Sequence, residues 1–240
     1  MTVGGILGES WRLYTKFFTR FFALAAIVYL VVNLVNGVVG EAIGTSGAVR
    51  AVLGLVSLIV TLIGTFWLQG ALVYAVSDVR DGKIDTTITG VFERVESKVL
   101  PLIGAGILAG IGIGIGFVFL IIPGLVLLTW WALIVPAIVL ENLGVMEAFG
   151  RSRELVRGHA WTVFGVVVIT AILTAVAGLI IEAIFSFLGS FLRIWIGGTI
   201  ANAIVGPFFA VALTLAFFRL QELHAPPSPP AATVESAEPA

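Results

Sequence analysis

Residues 101–140 read PLIGAGILAGIGIGIGFVFLIIPGLVLLTWWALIVPAIVL, forty in a row without one charged side chain. In hydrocarbon the backbone must satisfy its own hydrogen bonds, so such a stretch reads as helix. An α-helix needs about twenty residues to cross a ~30 Å apolar core, and this length therefore holds two crossings with a turn between them. Pro123, which has no N–H, and Gly124, which tolerates positive φ, predict where that turn falls. Because the turn is uncharged, a re-entrant loop buried among other helices stays open as an alternative. Pro136 predicts a kink in the second crossing.

The same reading extends outward to apolar stretches at 21–40, 51–77, 160–188 and 194–218, giving six crossings with 101–122 and 125–140. Composition agrees: 59% of the 240 residues are hydrophobic and 11% charged, against about a quarter charged in soluble domains, and mean hydropathy is +1.13. The net charge of −1 says little, because its sorting matters more than its sum. Eleven of the thirteen Lys and Arg residues fall in alternate gaps, leaving only Arg50 and Arg193 on the opposite side. The positive-inside rule then predicts an all-α integral membrane protein with six transmembrane helices as three hairpins, both termini cytoplasmic, in the cell (cytoplasmic, inner) membrane. The run from Phe21 to Val39 is too long for the core of a cleaved leader and is expected to remain as the first crossing.

Three shorter segments have one apolar and one charged side at 100° per residue. In 5–21, Ile6, Trp11, Tyr14 and Phe18 oppose Glu9, Arg12, Lys16 and Arg20; in 86–99, Val91 and Val95 oppose Arg94 and Lys98; in 145–158, Ala148 and Leu155 oppose Arg151, Arg153 and Arg157. Each precedes a pair of crossings, which divides the chain into three units, 3–79, 84–141 and 143–221, with faint internal similarity. Arg12, Lys16, Arg20, Arg94, Lys98, Arg151, Arg153 and Arg157 are therefore candidate contacts for anionic headgroups or for a partner protein. The plainer reading of the same bases is topological: they hold these segments at the cytoplasmic surface.

Within the apolar stretches, Gly106, Gly110 and Gly114 share a helical face and predict a close packing seam of the GxxxG kind. Gln69 and Asn202 are expected to hydrogen-bond between helices, and Glu182 to lie near the outer interface beside Arg193. Residues 1–224 form one membrane domain; 225–240, with Pro226, Pro227, Pro229 and Pro230, form a disordered cytoplasmic tail. With no Cys and only His159 and His224, a thiolate site is excluded and a hydrolytic centre is poorly supplied. A group of Glu141, Glu147, Glu154 and His159 lacks HExxH spacing. Neither enzymatic activity, nor a cofactor, a metal or a nucleic-acid partner is expected.

Between Pro123 and Trp161 the order Pro123-Gly124, Trp131, Pro136, Glu141, Ala148, Arg151-Ser152, Leu155, Gly158, Trp161 resembles the membrane-domain family named after glycerophosphoryl diester phosphodiesterases. There a Pro-Gly turn, a helix ending in Glu and an Arg-Ser-x-x-Leu-x-x-Gly segment follow in this order. The resemblance implies a stand-alone bacterial or archaeal membrane module without the soluble phosphodiesterase barrel, and suggests phospholipid handling. It also pairs Glu141 with Arg151 as a structural lock. The preferred reading is a non-enzymatic protein that organises lipids or partners at the cytoplasmic leaflet, alone or as a homo-oligomer. Its rivals are a transporter or channel for a lipid-like solute and a membrane accessory module of a phosphodiesterase.

Overall fold

The computed structural model describes residues 1–41, 46–80 and 82–224; the expected tail, 225–240, lies outside them. These residues are helical almost throughout. A short helix α1 (Val3–Lys16) starts where the Thr2 hydroxyl accepts the Gly5 N–H at 3.3 Å, a standard N-cap. It buries Ile6, Ser10 and Tyr14 and stops at Phe17, so the end of the predicted 5–21 segment belongs instead to α2 (Phe18–Glu41). After α3 (Gly47–Asp78), Thr87 caps the small helix α4 (Ile88–Glu96), which lays Val91 and Val95 on α3. Then follow α5 (Val99–Phe119), α6 (Ile121–Trp130), α7 (Ile134–Leu140), α8 (Val145–Val156), α9 (Ala160–Ile184), the single turn α10 (Ser190–Leu192), a π-helical turn (Arg193–Gly197) and α11 (Gly198–His224).

Six helical stretches are long and apolar enough to cross a membrane: Phe18–Glu41, Gly47–Asp78, Val99–Phe119, Ile121–Leu140, Ala160–Ile184 and Ser190–His224. Helix α2 packs on α3, α5 on α6, and α9 on α11, while α11 also lies against α1, α2 and α3. At 1.5 Å per residue, the 32 residues of α3 run to about 48 Å, more than a bilayer core needs. Its C-terminal part, from Leu68 to Val76, is the buried one and centres the core with Phe21, Leu24, Leu102, Ile138 and Phe217.

Three expectations within the apolar stretches change. The connection between α5 and α6 is the single residue Leu120, in extended geometry. Pro123 and Gly124 sit inside the first turn of α6, where the missing N–H of proline would have had no helical partner. Gly124 is not at positive φ; it is needed for close approach, since a Cβ there would meet Phe117 at 2.5 Å. The packing seam is also displaced. Gly110 and Gly114 have nothing near them, whereas Gly106 faces Phe66, Gly112 faces Trp131, and Gly116 lies 3.0 Å from the backbone of Gly124, measured from an added Cβ. The reason is that α5 meets α3 at one level and α6 at another, so the seam shifts face along the helix.

The polar expectations fare differently. Asn202 is exposed, because α11 turns Thr199, Ala201 and Ala203 inward. Gln69 is half-buried and makes no hydrogen bond among the described residues; close packing there runs through Gly70 against Val95 and Leu102. Glu182 is exposed and does not pair with Arg193, whose π-helical turn packs chiefly on α2 and α11. The interhelical bonds fall to Asn33, whose amide donates to Thr199 Oγ1 at 3.4 Å, and to Asn36, which donates to Thr61 at 3.2 Å and accepts from Ser57.

Candidate functional site

Charged side chains gather at the end of the bundle where α3 and α7 finish, α5 and α9 begin and α11 ends. Arg80 reaches Glu222, Arg219 bridges Glu9 of α1 and Glu222 of α11, and Gln221 donates to Glu141 at 2.6 Å. Such half-exposed pairs contribute about 0–1 kcal/mol each; their main content is geometric, since they tie α1, α3, α7 and α11 at one level.

Two ion pairs there are more enclosed. Arg20 Nη2 lies 2.6 Å from Asp78 Oδ2, with side chains only 7% and 6% exposed. Asp78 also accepts the Thr86 hydroxyl at 2.7 Å and the Thr86 N–H at 3.2 Å. This corrects the expectation for Arg20, which is inaccessible to a headgroup: the side chain falls at the α1–α2 break and turns inward. Arg151 approaches Glu141 through Nε (2.8 and 3.1 Å) and Nη2 (2.9 Å) and Glu154 through Nη1 (3.1 Å). These hydrogen bonds, that to Glu141 above all, raise its pKa beyond the ordinary arginine value. With two carboxylates around it, Arg151 is a structural clamp between α7 and α8 and not a free base.

Between them the chain solves a backbone problem. Pro136 has no N–H for the carbonyl of Ala132, and its ring crowds that carbonyl, so the helix opens at 131–133 before resuming as α7. Ser152, fully buried on α8, fills the gap: its hydroxyl donates to the Trp130 carbonyl at 2.6 Å and accepts the Leu133 N–H at 3.1 Å. Adjacent residues of the Arg151-Ser152 pair thus hold α7 at two points. Glu147 caps its own helix through the Gly144 N–H at 3.0 Å, and Glu141 and Glu154 face Arg151.

Six of the expected contact bases have no acidic partner among the described residues. Arg12 and Lys16 on α1, Arg94 on α4 and Lys98 just after it, Arg153 on α8 and Arg157 at its end are half-exposed or exposed. Three lie over aromatic rings: Lys16 over Phe17 at 5.1 Å, Arg94 over Tyr74 at 5.3 Å and Arg153 over Trp130 at 4.4 Å. Helices α1 and α8 share α11 as a neighbour but otherwise rest apart, α1 on α9 and α8 on α7, α5 and α6, while α4 rests on α3. Sequence reasoning missed Asp78, Glu9 and Glu222 as partners, and Trp130. A doubled Trp beside a helix-breaking Pro was the available signal for the last.

Fold and charge define an all-helical protein with six helices long and apolar enough to cross a membrane and a charged rim at one end, part of which is neutralised by internal ion pairs. The chain belongs to the family described as a domain of unknown function, DUF7847, which matches residues 86–220. That range takes in the broken span, the Ser152 bridge and the Glu141–Arg151 clamp. No curated protein and no solved structure matches the chain.

Proposed function

We propose that this is a non-enzymatic multi-pass protein of the cytoplasmic membrane that binds and organises anionic lipids at the cytoplasmic leaflet. Its six crossings form three hairpins, each behind a surface helix, with both termini cytoplasmic. The observation that carries this reading is the division of bases at the rim. Arg20, Arg80, Arg151 and Arg219 are neutralised within the protein, whereas Arg12, Lys16, Arg94, Lys98, Arg153 and Arg157 have no acidic partner among the described residues. Each such base contributes about 1 kcal/mol at an anionic surface. The resemblance of 123–161 to a membrane module associated with phospholipid chemistry adds the same class of ligand. A solute path is less well supported, because Asn202 faces outward and the helices meet through Gly106, Gly112 and Gly116 with aromatic side chains or backbone in the gaps.

The test is native mass spectrometry of the protein extracted in mild detergent. A fixed ratio of retained anionic lipid, lost when all six bases become Gln, supports the reading. Equal retention of anionic and zwitterionic lipid, or retention unchanged in the six-fold variant, overturns it. A stoichiometric protein partner without preferred lipid makes the chain an accessory subunit.

A further inference from the structure

We propose that one anionic phospholipid is held at Trp130, its phosphate between Arg153 and Arg157 and an acyl chain in the groove between α6 and α9. This rests on the lipid-binding reading above and places the specific site on α8, not on α1 or α4.

Trp130 lines two recesses. One, of about 570 Å³, is lined by Trp130, Gly150, Arg153, Glu154 and Arg157. The other, of about 490 Å³, runs along Ile122, Leu125, Val126, Trp161 and Phe164 with Trp130 at its head. The first is charged and the second apolar, so together they fit a ligand that is itself divided into an anionic head and a hydrocarbon chain. Glu154, held by Arg151 at 3.1 Å, offsets part of this charge, but two guanidinium groups against one carboxylate leave the head site net positive. Arginine suits a phosphate through paired N–H donors. In the groove, Thr129 directs its hydroxyl to the Leu125 carbonyl at 2.7 Å and presents no free donor.

The border between head and chain is held rigidly. The Trp130 carbonyl is fixed by Ser152, and the Arg153 guanidinium lies over the ring at 4.4 Å, a cation–π contact, and has no acidic partner among the described residues. The opening of the helix at 131–133 and its repair by Ser152 are what present Trp130 at this level. Other recesses among the described residues join the two halves less fully: the one along Leu108, Trp131, Met146 and Phe149 reaches Arg153 but not Arg157. The apolar groove lined by Trp11, Tyr14, Phe18 and Leu173 has no base in its wall, and the recess holding Arg12 also holds Glu9 and Glu222.

The purified protein in detergent is titrated with phosphatidylglycerol, phosphatidylcholine or inorganic phosphate, and bound species are counted by native mass spectrometry. Unmodified protein is expected to bind one phosphatidylglycerol in preference to phosphatidylcholine. At about fivefold per base, R153Q/R157Q weakens that first lipid roughly thirtyfold, while R153K stays within about fivefold. V126W, which fills the groove, weakens it as well, and R12Q/K16Q/R94Q/K98Q, which removes four bases of the general surface, weakens it far less than R153Q/R157Q. All four variants alter exposed positions or, for Lys98, a half-buried one, and unchanged thermal midpoints exclude unfolding. Loss in the four-fold variant with retention in R153Q/R157Q overturns this site but not lipid binding. No preference for phosphatidylglycerol in the unmodified protein overturns both. Displacement of the lipid by inorganic phosphate with V126W silent overturns the phospholipid in favour of a small anion.

Discussion

Arg20 and Asp78 are 58 residues apart in sequence and 2.6 Å apart in the fold, each almost fully enclosed. They fasten the start of α2 to the end of α3. Removing one partner of a buried pair leaves an uncompensated charge, at a cost of about 3–5 kcal/mol. Asp78→Asn is therefore expected to lower the thermal midpoint strongly, and Arg20→Met with Asp78→Leu to lower it less than Asp78→Asn alone. An equal or larger loss in the double variant would show that the pair itself, not its desolvation, carries the stability.

Ser152→Ala leaves the Trp130 carbonyl and the Leu133 N–H without their bridge. The expected cost is about 1–3 kcal/mol, concentrated at the opening of the helix. Hydrogen exchange at residues 131–134 should quicken while α2 and α3 keep their protection; uniform quickening would mean that the bridge does not act locally.

At Arg151, Lys keeps the charge but not the double contact with Glu141. Arg151→Lys should be less stable than the native protein, and a cycle with Glu141→Gln should show coupling of about 0.5–3 kcal/mol. A coupling near zero would reduce the clamp to an exposed contact.

The glycines of α5 give a paired comparison. An added Cβ at Gly106 would lie 1.9 Å from Phe66, whereas at Gly110 and Gly114 it would meet nothing. Gly106→Ala should cost about 1–3 kcal/mol through overpacking; Gly110→Ala and Gly114→Ala should be neutral or stabilising, since alanine is favoured by up to about 1 kcal/mol in a helix. Comparable losses at all three would place the seam where the spacing alone predicts it.

Tyr14 supplies a prediction in alkali. Burial raises its phenol from 10.0 to about 12, and its hydroxyl donates to the Ile204 carbonyl at 2.5 Å. The folded state holds this proton more tightly than the unfolded chain, so the stabilisation is complete below pH 10 and is lost as pH rises towards 12. The difference in thermal midpoint between the native protein and Tyr14→Phe should shrink or reverse across that interval. A constant difference would show that the phenol is not sequestered.

The uncharged stretch at 101–140 made the pair of long helices readable, because hydropathy and length are local properties. The position of the turn was not readable: Pro123 is as acceptable in a first helical turn as in a loop, and what decides is the fit of Gly124 to Phe117 and Gly116. Amphipathic periodicity located α1, α4 and α8 to within a few residues. It gave no means of separating Arg20 and Arg151 from Arg153 and Arg157, since all have the same spacing from apolar neighbours. Only the partners tell them apart, and Asp78 and Glu141 lie on other helices. Asn202 and Gln69 show the converse limit, because a polar residue in an apolar helix carries no local mark of which way it faces.

The one-residue passage through Leu120 bears on how deep the molecule sits. Val118, Phe119, Leu120, Ile121 and Ile122 are 65–85% exposed, and no polar side chain at this corner can anchor it to water. In a bilayer, the immersion of the α5–α6 hairpin is then set from its other end, where Arg94 and Lys98 precede α5, and not from the corner itself. A thinner membrane would push five large apolar side chains towards water, and a thicker one would draw the uncapped start of α6 further into hydrocarbon. This corner is thus a gauge of bilayer thickness, held at one end and unmoored at the other.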